Sequence, residues 1–176
     1  MSYDLTFFKV PTGTDAKTAF QELMQEEESK AANLDDWLKQ PLAEATRTHM
    51  QKLADSMRLR WPAFVQFQPA KPLPWIELND EDLPIQVTVG EKSVSVNIPY
   101  FRQDHTKMTN CLGCCLEVIQ SGAGYAAYDP QLGRIVGAND LDEIAKTYSD
   151  IDAVLPTMSG EKNKVATGKK PWWKIW

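Results

Sequence analysis

The chain has 176 residues and a mass of 19.9 kDa, enough for one ordinary domain with a real core and no need of disulfides or metal. Hydrophobic residues make up 43% and charged residues 24%, and the mean hydropathy is −0.41, which excludes collagen-like, coiled-coil and multi-span membrane classes. Net charge is −5, but residues 157–176 hold five lysines and one glutamate, so residues 1–156 carry −9. Such a body repels phosphate backbones and attracts basic proteins, so nucleic acid is not the expected partner. The start, Met1-Ser2-Tyr3-Asp4-Leu5, has no basic region or long apolar run, and cytoplasmic residence without a membrane span is expected.

Tyr3, Leu5 and Phe7 alternate and predict a first strand over Tyr3–Phe8. Pro11-Thr12-Gly13 break it. Thr14 is the expected N-cap of a helix to about Glu28, with Asp15 in its first turn and Ala16, Ala19, Phe20, Leu23 and Met24 on one face. Asn33–Lys39 adds a helical turn around Trp37. A second long helix is expected from Pro41, with Leu42, Ala45, His49, Leu53 and Met57 as its buried stripe.

The period then becomes that of strands. Phe64–Gln68 and Trp75–Leu78 flank the proline-rich stretch Pro69–Pro74. Ile85, Val87, Val89 and then Val94, Val96, Ile98 alternate with polar residues around Gly90-Glu91-Lys92, which predicts an antiparallel hairpin with one apolar face. Thr106–Gln120 predicts a third helix, stopped at Ser121-Gly122. Gly124–Tyr128 and Arg134–Gly137 form a second hairpin around Asp129-Pro130-Gln131-Leu132-Gly133, and Leu141, Ile144, Ala145 and Tyr148 a short last helix. The expected fold is α+β: a mainly antiparallel sheet with helices packed on one face. It forms a single domain over residues 1–156, followed by a flexible linker and tail over 157–176.

Cys111-Leu112-Gly113-Cys114-Cys115 carries the loudest local pattern. A tetrahedral zinc site needs a fourth ligand and a second Cys-x-x-Cys is absent, so neither metal nor other cofactor is expected. A helix start could lower the pKa of Cys111, which leaves a small cysteine enzyme or redox protein using Cys111 and Cys114 as the alternative reading. Against it, Met108, Cys111, Leu112, Cys115, Val118 and Ile119 share one helical face, as buried packing cysteines do. His49 falls in an apolar stripe. His105 neighbours Asp104 without any nucleophile signature around it.

No motif supplies a catalytic residue, and the expected function is protein binding. Acidic clusters supply the candidate contacts Glu26, Glu28, Asp80, Glu81, Asp82, Asp140 and Asp142, and reversing Asp80, Glu81 and Asp82 to lysine is expected to leave the fold intact. The terminal Lys169-Lys170-Pro171-Trp172-Trp173-Lys174-Ile175-Trp176 adds Trp172, Trp173 and Trp176 as a docking element, on a partner, on the domain itself or at a membrane.

The opening Tyr-Asp-Leu-x-Phe-Phe, the hairpin end Ile98-Pro99-Tyr100-Phe101, the stretch Gly124-Tyr-x-x-Tyr-Asp-Pro-Gln-x-Gly-Arg134 and the Lys-Lys-Pro-Trp-Trp-Lys-Ile-Trp end resemble a group of short bacterial proteins. Those are similar to the immunity proteins of polymorphic and type VI secreted toxins. The resemblance implies a cytoplasmic, non-enzymatic protein of toxin–antitoxin type that neutralises a cognate toxin, here a basic one. It carries over no active-site residue.

Overall fold

The computed structural model describes residues 2–38, 41–70, 73–100 and 104–159, and the tail tryptophans Trp172, Trp173 and Trp176 lie outside them. Among the described residues seven strands form one antiparallel sheet: β1 (Ser2–Phe8), β2 (Phe64–Gln66), β3 (Ile76–Asp80), β4 (Ile85–Val89), β5 (Ser93–Pro99), β6 (Ala126–Asp129) and β7 (Arg134–Val136). Their order is β2-β3-β4-β5-β1-β6-β7, so the first strand is inserted between the two hairpins. The helices are α1 (Ala16–Ala32), α2 (Leu34–Trp37), α3 (Glu44–Arg60), α4 (His105–Leu116) and α5 (Leu141–Ser159). The fold is α+β, as the pattern of elements predicts.

Alternation along each strand sorts the side chains into rungs. Ile76, Val89, Val94, Phe7, Ala127 and Val136 pair in register across six strands, and Leu78, Val87, Val96 and Leu5 make the next rung. These rungs belong to the main core, covered by Met50, Leu53, Ala54 and Met57 of α3, Met108, Cys111, Leu112 and Cys115 of α4, and Ile144 and Tyr148 of α5. Each fully buried aliphatic side chain contributes about 1.5–3 kcal/mol through removal from water. Gly113 lets α4 and α5 approach: a Cβ there would stand 3.1 Å from Leu141 Cδ2.

The opposite face carries polar rungs. Glu77, Thr88, Ser95 and Thr6 make one, and Asn79, Gln86, Asn97 and Asp4 the next, with Asn97 Nδ2 donating to Asp4 Oδ1 at 2.5 Å. This face is not bare. Helix α1 lies over its β1–β6 side, where Phe8, Ala19 and Leu23 form a smaller cluster and Phe20 stacks on Tyr128 with centroids 4.0 Å apart.

Several boundaries move for local reasons. Asp15, not Thr14, caps α1: its Oδ1 accepts from the Lys17 and Thr18 amides, both at 3.0 Å. Helix α3 begins at Glu44, three residues after Pro41, and its buried stripe adds Met50 and Ala54 while Ala45 stays exposed. After Leu116, α4 continues as a π-helical turn, Glu117–Gly122. The last helix is long rather than short and passes Pro156 to end at Ser159, so residues 157–159, assigned by sequence to the linker, are helical. Among the described residues no helix is long and apolar enough to cross a membrane.

Candidate functional site

The cysteines sit in the C-terminal half of α4. Cys111 and Cys115 are buried and Cys114 is half-buried, all three as free thiols. A hydrogen bond with Cys115, then burial, pushes the Cys111 thiol far above its usual range. Burial also raises that of Cys114, against a smaller opposing pull from Arg60. Thiols held in the protonated form are poor nucleophiles and poor metal ligands. Among the described residues no group of three His, Cys, Asp or Glu could hold a metal ion. A thiol reagent is therefore expected to modify Cys114 first in native protein, and Cys111 and Cys115 only in denaturant. Rapid native modification of all three, followed by mass spectrometry, would contradict this packing.

The histidines are positioned by long-range contacts. His49 Nε2 lies 3.3 Å from Tyr125 Oη, and burial, with Lys9 and Lys52 nearby, lowers its pKa. His105 pairs with Asp152 of α5 at 3.4 Å and stands edge-on to Tyr148. Asp104, its sequence neighbour, instead caps α4 by accepting from the Lys107 amide at 3.0 Å.

Two buried carboxylates close the β3–β4 and β6–β7 turns in the same way. Asp80 is 1% exposed; its Oδ1 accepts from the Asp82 amide at 2.9 Å and the Leu83 amide at 3.0 Å, and its Oδ2 from Trp61 Nε1 at 2.7 Å. Asp129 is fully buried; its Oδ1 accepts from the Gln131 amide at 2.8 Å and the Leu132 amide at 3.0 Å, and its Oδ2 from the Tyr3 hydroxyl. Gly133, with φ +66°, completes the second turn in a conformation that side chains disfavour. Asp80 is thus a structural residue, and its assignment as a surface contact for a partner is corrected. A side chain with three internal donors and no exposure cannot meet another protein.

The remaining acidic candidates do not share one face. Glu26 is half-buried on α1, salt-bridged to Lys30 at 3.1 Å and to Lys92 at 2.8 Å, while Glu28 is exposed. Glu81 and Asp82 are exposed at the β3–β4 turn, with Lys107 3.4 Å from Asp82. Asp140 accepts from the Gly137 amide at 2.7 Å and pairs with Arg134 at 2.8 Å, whereas Asp142 is exposed at the start of α5. Strands β3 and β7 are five strand intervals apart, roughly 24 Å at usual spacing.

Two grooves are prominent among the described residues. One, of about 520 Å³, lies between α3 and the π-helical turn and is lined by His49, Lys52, Ser56, Val118 and Ser121 among others. The other, of about 360 Å³, lies on the polar sheet face and was not legible in the sequence. Its floor is Glu77, Gln86, Thr88, Ser93 and Ser95, with Trp37 and Trp75 stacked on one wall at 5.6 Å and 12°. Trp75 Nε1 donates to Glu77 Oε1 at 2.9 Å, and the Lys30 ammonium stands 5.8 Å from the Trp37 ring centroid. Trp37 and Trp75 are 38 positions apart, so only the folded chain brings the two indoles together.

A cluster of tyrosines supplies a pH readout. Burial pushes Tyr100 up to about 12, with Asp4 and Asp129 adding to it, and burial followed by the Asp129 hydrogen bond raises Tyr3 further. Raised phenol pKa values favour the folded protein below pH ~10 and withdraw that contribution as pH climbs toward the folded values. Absorbance titration at 295 nm is expected to show both phenols ionising together with unfolding above about pH 11. Ionisation of all five tyrosines near pH 10 in folded protein would show that these two are not held by the fold.

Comparison of the chain with protein-family models, with curated proteins and with solved structures gives no match.

Proposed function

We propose that the protein is a non-enzymatic binding protein that neutralises a basic protein, acting in the cytoplasm as the immunity protein of a secreted bacterial toxin. The observation that carries this reading is the division of labour among its carboxylates. Asp80 and Asp129, the buried ones with the most donors, are consumed by turns, and exposed ones, Glu28, Glu81, Asp82 and Asp142 among them, lend residues 1–156 their negative field. An inhibitor needs a complementary surface and no activated nucleophile, and the raised thiol of Cys111 suits that role better than the cysteine-enzyme reading. The toxin class itself rests on the sequence resemblance.

The test uses the full chain and the product of its neighbouring gene. Association is expected to slow clearly between low and physiological ionic strength while dissociation changes less, because steering is screened and the packed centre is not. Reversing Glu28, the Glu81–Asp82 pair, or Asp142 in separate variants should identify the contacting cluster by its slower association. An acidic partner, or association indifferent to salt and to all three reversals, would refute the electrostatic account.

A further inference from the structure

We propose that the groove on the polar sheet face receives the chain's own segment Lys169–Trp176, so that the domain carries its ligand on its own terminus. The inference is independent of the toxin reading. The groove presents three carboxylates, Glu27, Glu77 and Glu91, beside the stacked Trp37–Trp75 pair. Its lysine, Lys30, is already held by Glu26 and Glu27 at 3.1 and 3.2 Å, and among the described residues neither Glu77 nor Glu91 has a cation partner. What suits this lining is a short segment with ammonium groups for the glutamates and flat aromatic rings for the indole wall. Residues 169–176 offer Lys169, Lys170 and Lys174 together with Trp172, Trp173 and Trp176.

The connection is long enough. Asp152 of α5 lies beside His105 at the start of α4, and Lys107 there reaches Asp82 in the β3–β4 turn. Asp152, seven residues before Ser159, therefore stands near the end of the sheet where β3 and β4 meet, and those two strands supply Glu77, Gln86 and Thr88 to the groove floor. From Ser159, ten extended residues span about 33 Å. Strand β4 is only ~17 Å long and the layers are about 10 Å apart. Tethering also gives the segment a millimolar-scale effective concentration, so modest contacts suffice to hold it.

Limited trypsinolysis of the full chain tests the proposal. The bonds after Lys169 and Lys174 belong to the docking segment, and those after Lys162 and Lys164 precede it and serve as internal controls. In a variant with Glu27→Gln, Glu77→Gln and Glu91→Gln, cleavage after Lys169 and Lys174 is expected to accelerate roughly tenfold while the control bonds keep their rates. These isosteric exchanges keep the acceptor for Trp75, and an unchanged melting temperature verifies the fold. Salt near 1 M should reproduce part of the acceleration, since the Debye length then falls to about 3 Å. Equal rates in both proteins at low salt overturn the proposal. So does protection that survives in the variant, which places the segment elsewhere, and so does protection that vanishes on dilution, which assigns the segment to a second copy.

Discussion

Replacing Asp80 with alanine is expected to lower the unfolding free energy by about 3 kcal/mol or more, a large share of the ~5–15 kcal/mol that holds a domain of this size. The loss comes from three donors, not from charge as such. The Leu83 amide and the Trp61 indole are left facing a cavity, and the Asp82 amide loses its turn partner. Asp82→Ala, two positions along, is expected to change stability by less than about 0.5 kcal/mol, because that side chain is 81% exposed. Urea denaturation of the two variants makes the comparison. Equal midpoints would show that the Asp80 hydrogen bonds contribute no net stability. The contrast also governs any charge-reversal experiment on this turn: lysine at 81 and 82 probes binding, whereas lysine at 80 unfolds the hairpin.

Tyr3→Phe is expected to cost about 2 kcal/mol, the range for a hydrogen bond to a charged group in the interior. Tyr3 and Asp129 are both fully buried, so the carboxylate oxygen that loses the phenol gains no water in exchange. Tyr3 also meets Tyr148 edge-on, with centroids 6.0 Å apart, and phenylalanine keeps that contact, which isolates the hydroxyl. In an Asp129→Asn background the same exchange should cost at least about 1 kcal/mol less, since the charge is already gone and the turn amides keep their Oδ1 acceptor. Additive losses in this double-mutant cycle would show that the two side chains touch without being coupled.

The sequence alone determined what depends on local period and turn chemistry. The alternation of Ile85–Val89 and Val94–Ile98 specified a hairpin and the face it buries, because side chains two apart in a strand share a side. The spacing of Met108, Cys111, Leu112 and Cys115 placed two of the three thiols in the core on the same logic. Asp129 before Pro130, with Gly133 after, announced its turn. The groups that carry the candidate site were not legible because their partners are distant in sequence. Asp80 stands in an acidic run that looks like a solvated loop, and its burial depends on Trp61, nineteen positions earlier. His105 pairs with Asp152 rather than its neighbour Asp104 because α4 and α5 cross there. Insertion of β1 between the hairpins brings Tyr3 to Asp129, and packing around the polar sheet face brings Trp37 to Trp75. Periodicity tells a residue which way to face. Whether a polar side chain facing inward is satisfied depends on donors from elsewhere in the chain, and only the assembled sheet and helices supply them.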